Sequence, residues 1–137
     1  MIRKATRADL PRISEIRSAV KENKLDDPAR VTVEICEWFI DHAAFWLWED
    51  NGVVHGFSAG DPRDGTIFAL FVDPAWEGRG VGQALLPLAC KTLRDAGYRV
   101  ARLDTEARTR AEHFYRQNGW REVGRKSDGQ IIFEKAI

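Results

Sequence analysis

Residues 77–82 read Glu77-Gly78-Arg79-Gly80-Val81-Gly82, three glycines on alternate positions that run into a stretch of helical period. Glycines let a backbone approach a ligand and turn several N–H groups the same way. A helix start adds unpaired N–H groups and about half a positive charge. The chemistry that such a turn supports is phosphate binding. Two phosphate patterns do not fit it. A nucleotide loop ends in Lys-Ser/Thr, whereas Gln83-Ala84 follows here, and the dinucleotide fingerprint is G-x-G-x-x-G, not G-x-G-x-G. Arg108 is a further candidate, either as a bidentate phosphate donor or as a surface arginine. For proton transfer, Thr66 to Val72 contains no carboxylate, and Asp104 and Glu106 are the nearest acids after it. His55 reads as a core or edge histidine, with a catalytic role as the alternative. Cys36 and Cys90 lie in apolar helical patterns without metal-ligand spacing, which suits reduced core residues and no metal site.

These residues need elements to place them. Ile67 to Val72 is an apolar run that suits a buried strand, ended by Asp73-Pro74 because proline has no N–H for the ladder. The glycine turn then leads into a helix from about Gly80 to Ala96, with Val81, Leu85, Leu88 and Thr92 inward and Gly97 as its stop. Pro87 inside it conflicts with helix geometry. Ahead of the organising strand come a short strand Ile2 to Ala5, a helix opened by Thr6 and running to about Lys21, a loop Asn23 to Arg30, and a helix Thr32 to about His42. Then follows a hairpin, Ala44 to Glu49 and Val53 to Ala59, about Asn51-Gly52. Beyond the glycine helix the pattern gives a strand Tyr98 to Leu103, a helix Arg108 to Asn118, and a strand pair Trp120 to Val123 and Ile131 to Glu134. The order is β-α-α-β-β-β-α-β-α-β-β, an α/β chain with a mixed sheet and helices on both faces.

At 137 residues the chain reads as one domain, 1–137, burying roughly two-thirds of its unfolded surface. Lysine and arginine together number 21, as do aspartate and glutamate, which argues against nucleic acid as a partner. No run is long enough to span a membrane, and a cytoplasmic location is expected. The charges are uneven. Asp26, Asp27, Glu34, Glu37, Asp41, Glu49 and Asp50 face only Arg30 within their stretch, which suits either a cationic ligand or a solvated helix face.

Ala111-Glu112-His113-Phe114-Tyr115-Arg116-Gln117-Asn118-Gly119-Trp120 resembles the A-x-x-F/L-Y-x-x-x-G-F segment of the GNAT superfamily of N-acetyltransferases, with Trp120 where phenylalanine is common. Strand, V-x-P, glycine turn and helix resemble the same family, whose turn is written Q/R-x-x-G-x-G/A. Glu77 departs from its first position, and Arg108 stands where the family often has asparagine. The resemblance implies a mostly antiparallel sheet of six to seven strands. It also implies acetyl-CoA as cosubstrate, held by Leu70, Phe71, Val72, Glu77, Gly78, Arg79, Gly80, Val81, Gly82, Gln83, Arg108 and Tyr115. It gives Tyr115 the protonation of the CoA thiolate, and an N–H from Leu70 to Val72 the oxyanion. The acceptor would be a small-molecule or peptide amine, cationic if the acidic stretch attracts it, and a homodimer is common in the family. Glu106 is the first candidate for general base, with a water relay as the alternative. A catalytically silent acyl-CoA-binding module is the rival reading.

Overall fold

The computed structural model describes residues 1–20 and 32–137. Its strands are β1 (Ile2–Lys4), β2 (Trp46–Asp50), β3 (Val53–Asp61), β4 (Thr66–Val72), β5 (Val100–Thr105), β6 (Arg121–Arg125) and β7 (Ile131–Ala136). The helices are α1 (Leu10–Ala19), α2 (Val33–His42), α3 (Val81–Asp95) and α4 (Arg110–Gln117), with 3-10 turns at Arg7–Asp9 and Pro74–Trp76. Among the described residues the strands form one sheet in the order β1-β2-β3-β4-β5-β7-β6. Every neighbouring pair is antiparallel except β4 with β5, which is parallel. The expected fold class and element order are therefore present. The first helix ends at Ala19, with Val20 in extended backbone, two residues before the expected Lys21; the loop Asn23 to Arg30, with Asp26 and Asp27, lies outside the described residues.

Alternation along β3 separates the two faces of the sheet. Phe57 and Ala59 join Leu47, Phe45, Ile13, Ile16, Cys36 and Phe39 in one core beneath α1 and α2. Gly56, Ser58 and Gly60 point the other way, against α3. A Cβ at Gly56 would lie 2.8 Å from Val81 Cγ1, and one at Gly60 would overlap the Ala89 carbonyl. The Ser58 hydroxyl donates to the Leu85 carbonyl at 2.9 Å. Small residues on alternate positions thus let α3 lie close on β3, which fixes where its first turn falls. The inward face of α3 is Val81, Leu85, Leu86, Ala89, Cys90 and Leu93, whereas Leu88 and Thr92 are only half-buried. Pro87 is exposed and sits within the helix. A second core joins α3 and α4 to the C-terminal strands through Leu86, Leu93, Leu103, Tyr115, Trp120, Ile131 and Phe133.

Strand β4 carries a bulge. Ala69 pairs with Ala59 and Ile67 with Gly60, so Phe68 is the extra residue. Phe68 stacks on Phe39 at 4.4 Å, while Leu70 packs with the Tyr115 core. A bulge shifts the facing of every later residue by one, and here it turns Leu70 toward α4. β4 and β5 then part company. Their register has the one pair Thr66 and Arg102, and the Arg102 N–H donates to the Gly65 carbonyl at 3.2 Å. β5 goes on to pair with β7 through Thr105, so the two parallel strands diverge toward their C-terminal ends.

Candidate active site

The fork between β4 and β5 opens into a cleft of about 780 Å³. Leu70, Phe71 and Val72 of β4 form one wall, and Arg108, Thr109, Ala111, Phe114 and Tyr115 the other. Glu77, Gly78, Gly80, Val81, Gly82 and Gln83 close the end where α3 begins.

The glycine turn has the conformation that phosphate binding asks for. Gly78 and Gly80 have φ of 76° and 84°, the left-handed region that other residues adopt only with strain. Gly80 is the N-cap, and the first helical bond runs from the Ala84 N–H to the Gly80 carbonyl at 3.0 Å. The N–H groups of Val81, Gly82 and Gln83 precede that bond and have no partner within the helix. A Cβ at Gly80 would meet nothing, so the requirement there lies in the backbone. The turn is approached through Asp73, whose carboxylate accepts from the Ala75 N–H at 3.0 Å and from Arg12 at 2.8 Å.

The departure at Glu77 is resolved by a partner. Its carboxylate is ion-paired with the Arg110 guanidinium at the start of α4. The negative charge is thus balanced, and the pair ties the turn to α4 across the cleft. Arg108 is in left-handed backbone, with φ of 62°. Its N–H donates to Glu112 Oε1 at 2.8 Å, and Thr109 caps α4 by accepting from the Glu112 N–H at 3.2 Å. This local network starts α4 at Arg110, two residues later than the pattern predicts, and keeps Arg108 on the cleft wall.

Tyr115 is 8% exposed and is held between Trp120 and Phe133, at ring distances of 5.8 and 6.1 Å. It shares the cleft with Ala111, as their spacing of one turn requires. Two expected residues fall elsewhere. Arg79 does not line the cleft among the described residues, because its guanidinium lies over the Trp76 ring at 4.5 Å. Glu106 follows the end of β5, where its carbonyl accepts from the Thr109 hydroxyl at 2.9 Å, and it is also outside the lining. Asp104 faces away from the α3 core. Its Oδ2 is 3.4 Å from Lys126, and its Oδ1 is buried without a partner among the described residues. Glu77 is the one carboxylate among the described lining residues.

Sequence reasoning missed Trp76, Arg110, Phe114, His113 and Gln117 as cleft residues. For the last four the signal was available, since 110, 113, 114 and 117 form a single helical stripe. The acidic stretch fares differently. Glu37 and Asp41 pair with Arg7 at 3.2 and 2.6 Å, and Glu49 with Arg3 at 2.9 Å. None of these lines the cleft. The cysteines are buried, and burial pushes the Cys36 thiol up to about 11 and raises that of Cys90. Among the described residues no cluster of His, Cys, Asp or Glu suits a metal ion, and no helix is long and apolar enough to cross a membrane.

Residues 10–120 match the model of the Acetyltransferase (GNAT) family. The chain belongs to that family. A mycothiol acetyltransferase from Propionibacterium freudenreichii subsp. shermanii is 33% identical over 92 residues, which is 61% of this chain and 29% of that protein. The chain thus spans under a third of that relative's length. Among solved structures, the ribosomal-protein-S18-alanine N-acetyltransferase of Escherichia coli superposes with a TM-score of 0.77 at 21% identity, covering 100% of this chain and 93% of that one. A putative acetyltransferase from Salmonella typhimurium, with its cofactor acetyl-CoA, gives 0.74 at 20% identity, covering 99% and 92%. At these identities the two structures establish the GNAT fold of this chain and nothing finer.

Proposed function

We propose that this GNAT chain transfers the acetyl group of acetyl-CoA to a primary amine. The observation that carries the reading is the convergence, on one cleft, of the glycine turn, the unpaired side of β4 and Tyr115. The residues fit a CoA thioester. The turn offers N–H groups and a helix N-terminus to a pyrophosphate, and the fork offers an extended slot to a linear arm. Acetyl-CoA supplies the activated acyl group, and the amine takes it directly, so no nucleophilic side chain is needed. The family membership and the cofactor of the Salmonella relative support the same cosubstrate.

The chain's own task is to orient and to move protons. An alkylammonium of pKa near 10.4 is only about a thousandth neutral near pH 7.4, a cost of roughly 4 kcal/mol. Glu106 is our first candidate to take that proton, and Asp104 the second, as the acids at the end of β5; neither is among the described cleft residues, so each would act through water. A water relay without a dedicated residue is the alternative. An N–H of the Leu70 to Val72 segment stabilises the oxyanion, and the Tyr115 hydroxyl gives its proton to the departing sulfur. The acceptor is an amine, cationic in solution.

A second reading, a silent acyl-CoA module, is favoured by one observation: the single carboxylate among the described cleft residues, Glu77, is already paired with Arg110. CoA thiol release from acetyl-CoA, measured against amines, amino acids and peptides with a no-acceptor control and a parallel binding measurement, decides between them. Release with one amine class is expected. Binding without release across the panel would favour the silent module, and no binding would end both readings.

A further inference from the structure

The approach to the glycine turn is fastened to the sheet at one residue that the chemistry above does not use. In the pairing of β2 with β3, Glu49 is opposite Val54 and Trp48 opposite Gly56, which leaves His55 as the extra residue of a bulge. The bulge presents His55 in two ways. Its carbonyl accepts from the Asp73 N–H at 2.8 Å. Its ring, in a residue 8% exposed, stacks on Trp76 at 3.8 Å with 17° between planes. Trp48 closes the cluster, 6.1 Å from His55 and 5.5 Å from Trp76. Trp76 is itself a wall of the cleft, immediately precedes Glu77, and carries the Arg79 guanidinium over its ring.

We propose that His55 is a positioning residue for the phosphate-binding turn: as a neutral imidazole it fixes Trp76, and through Trp76 the conformation of residues 77–82. The inference rests on the acetyl-CoA reading and adds a residue, and a pH dependence, to it.

Burial first, and then the charges around the ring, favour the neutral form. Arg12 on α1 and Arg79 in the turn oppose a proton on His55, while Asp73 and Asp50 favour one. Burial is the largest influence, followed by Arg12, and together they lower the His55 pKa below its ordinary value of 6.5. Nδ1 is buried with no hydrogen-bond partner among the described residues, so an imidazolium would add a buried N–H without an acceptor. An indole face attracts a cation, but that attraction supplies no acceptor for the buried Nδ1–H, which stays unsatisfied in the imidazolium. Protonation therefore loosens the stack and, with it, the turn.

The test is the pH dependence of acetyl-CoA binding, from pH 5 to 8, in the wild type, His55→Ala and His55→Phe. His55→Ala is expected to weaken binding at pH 8 by about threefold to tenfold, the range that one aromatic contact supplies. Turnover at saturating acetyl-CoA should change little, so the effect falls on KM. His55→Phe restores the stack and most of the affinity. It also removes the wild type's acid loss of affinity, which sets in only below the ordinary imidazole range because the His55 pKa is lowered. CoA carries a phosphate that titrates near pH 6, so dephospho-CoA is run in parallel. Intrinsic fluorescence of the ligand-free protein gives an independent readout: an acid transition present in the wild type, absent in His55→Phe and reduced in Trp76→Phe. An acid limb shared by wild type and His55→Phe with dephospho-CoA, or full affinity in His55→Ala, would overturn the positioning role alone. Failure of the wild type to bind CoA at any pH would instead overturn the acetyl-CoA reading, and this inference with it.

Discussion

At Tyr115 packing and the proposed chemistry part at a single atom. Its ring belongs to the core with Trp120 and Phe133, so Tyr115→Phe keeps the contacts and removes only the hydroxyl. Loss of a general acid is expected to lower kcat by about 10²–10⁴-fold, with KM for acetyl-CoA little changed. Steady-state kinetics beside a thermal melt check this, and a full-rate variant would remove Tyr115 from proton transfer. Trp120 makes the converse point. Its indole N–H is buried without a partner among the described residues, a burden of about 1–3 kcal/mol that phenylalanine would not carry. Trp120→Phe gives up some buried area in exchange, so denaturant melts should place its stability within about 1 kcal/mol of the wild type. The sequence motif made Tyr115 legible. The state of the Trp120 nitrogen depends on what surrounds it in three dimensions, and no local pattern carries that.

Elements explain why some boundaries were readable and others were not. α2 appears where its pattern places it, because Thr32 caps it by accepting from the Ile35 N–H at 3.2 Å, a signal written locally. β5 begins at Val100 rather than Tyr98, because the Tyr98 N–H closes the end of α3 on the Leu93 carbonyl and its hydroxyl reaches the Pro62 carbonyl. The bulges at His55 and Phe68 were equally hidden, since a bulge is a relation between two strands. The glycine turn was legible, and the structure sorts its members. Gly80→Ala puts a side chain at φ of 84°, which costs about 1–2 kcal/mol or changes the turn, so CoA affinity should drop. At Gly82 a Cβ would make contact with Phe114 at 3.4 Å in ordinary helical backbone, so Gly82→Ala should lose less affinity than Gly80→Ala. Calorimetry on the two variants tests the order, and the reverse order would mean that the turn acts through side-chain clearance. At the other end of α4, Arg125 and Arg116 hold the Glu122 carboxyl down to about 2, tying the helix to β6.

For the whole molecule the decisive feature is an incomplete ladder. β4 is paired along β3 as far as Val72, yet toward β5 its register has the one pair at Thr66. An exposed strand edge is a place for another chain or ligand to hydrogen-bond. A fork of this kind joins positions 66 and 102 across a helix, so it was not legible in the sequence, although the elements on either side of it were. If an extended thioester arm fills the fork, binding must do two things together. It must stabilise the fold by about 2.7 kcal/mol at a hundredfold excess over Kd, a rise in Tm of about 5–10 °C. It must also slow amide exchange in the segment Leu70 to Val72 and at Val81 to Gln83, while the far strands β6 and β7 change only as global stability does. A melt and a hydrogen-exchange map, each with and without acetyl-CoA, separate the outcomes. A thermal shift without protection of Leu70 to Val72 would place the ligand on the glycine turn alone and leave the fork to another partner. Protection at both sites would make the missing rung of the sheet the binding site for the thioester arm.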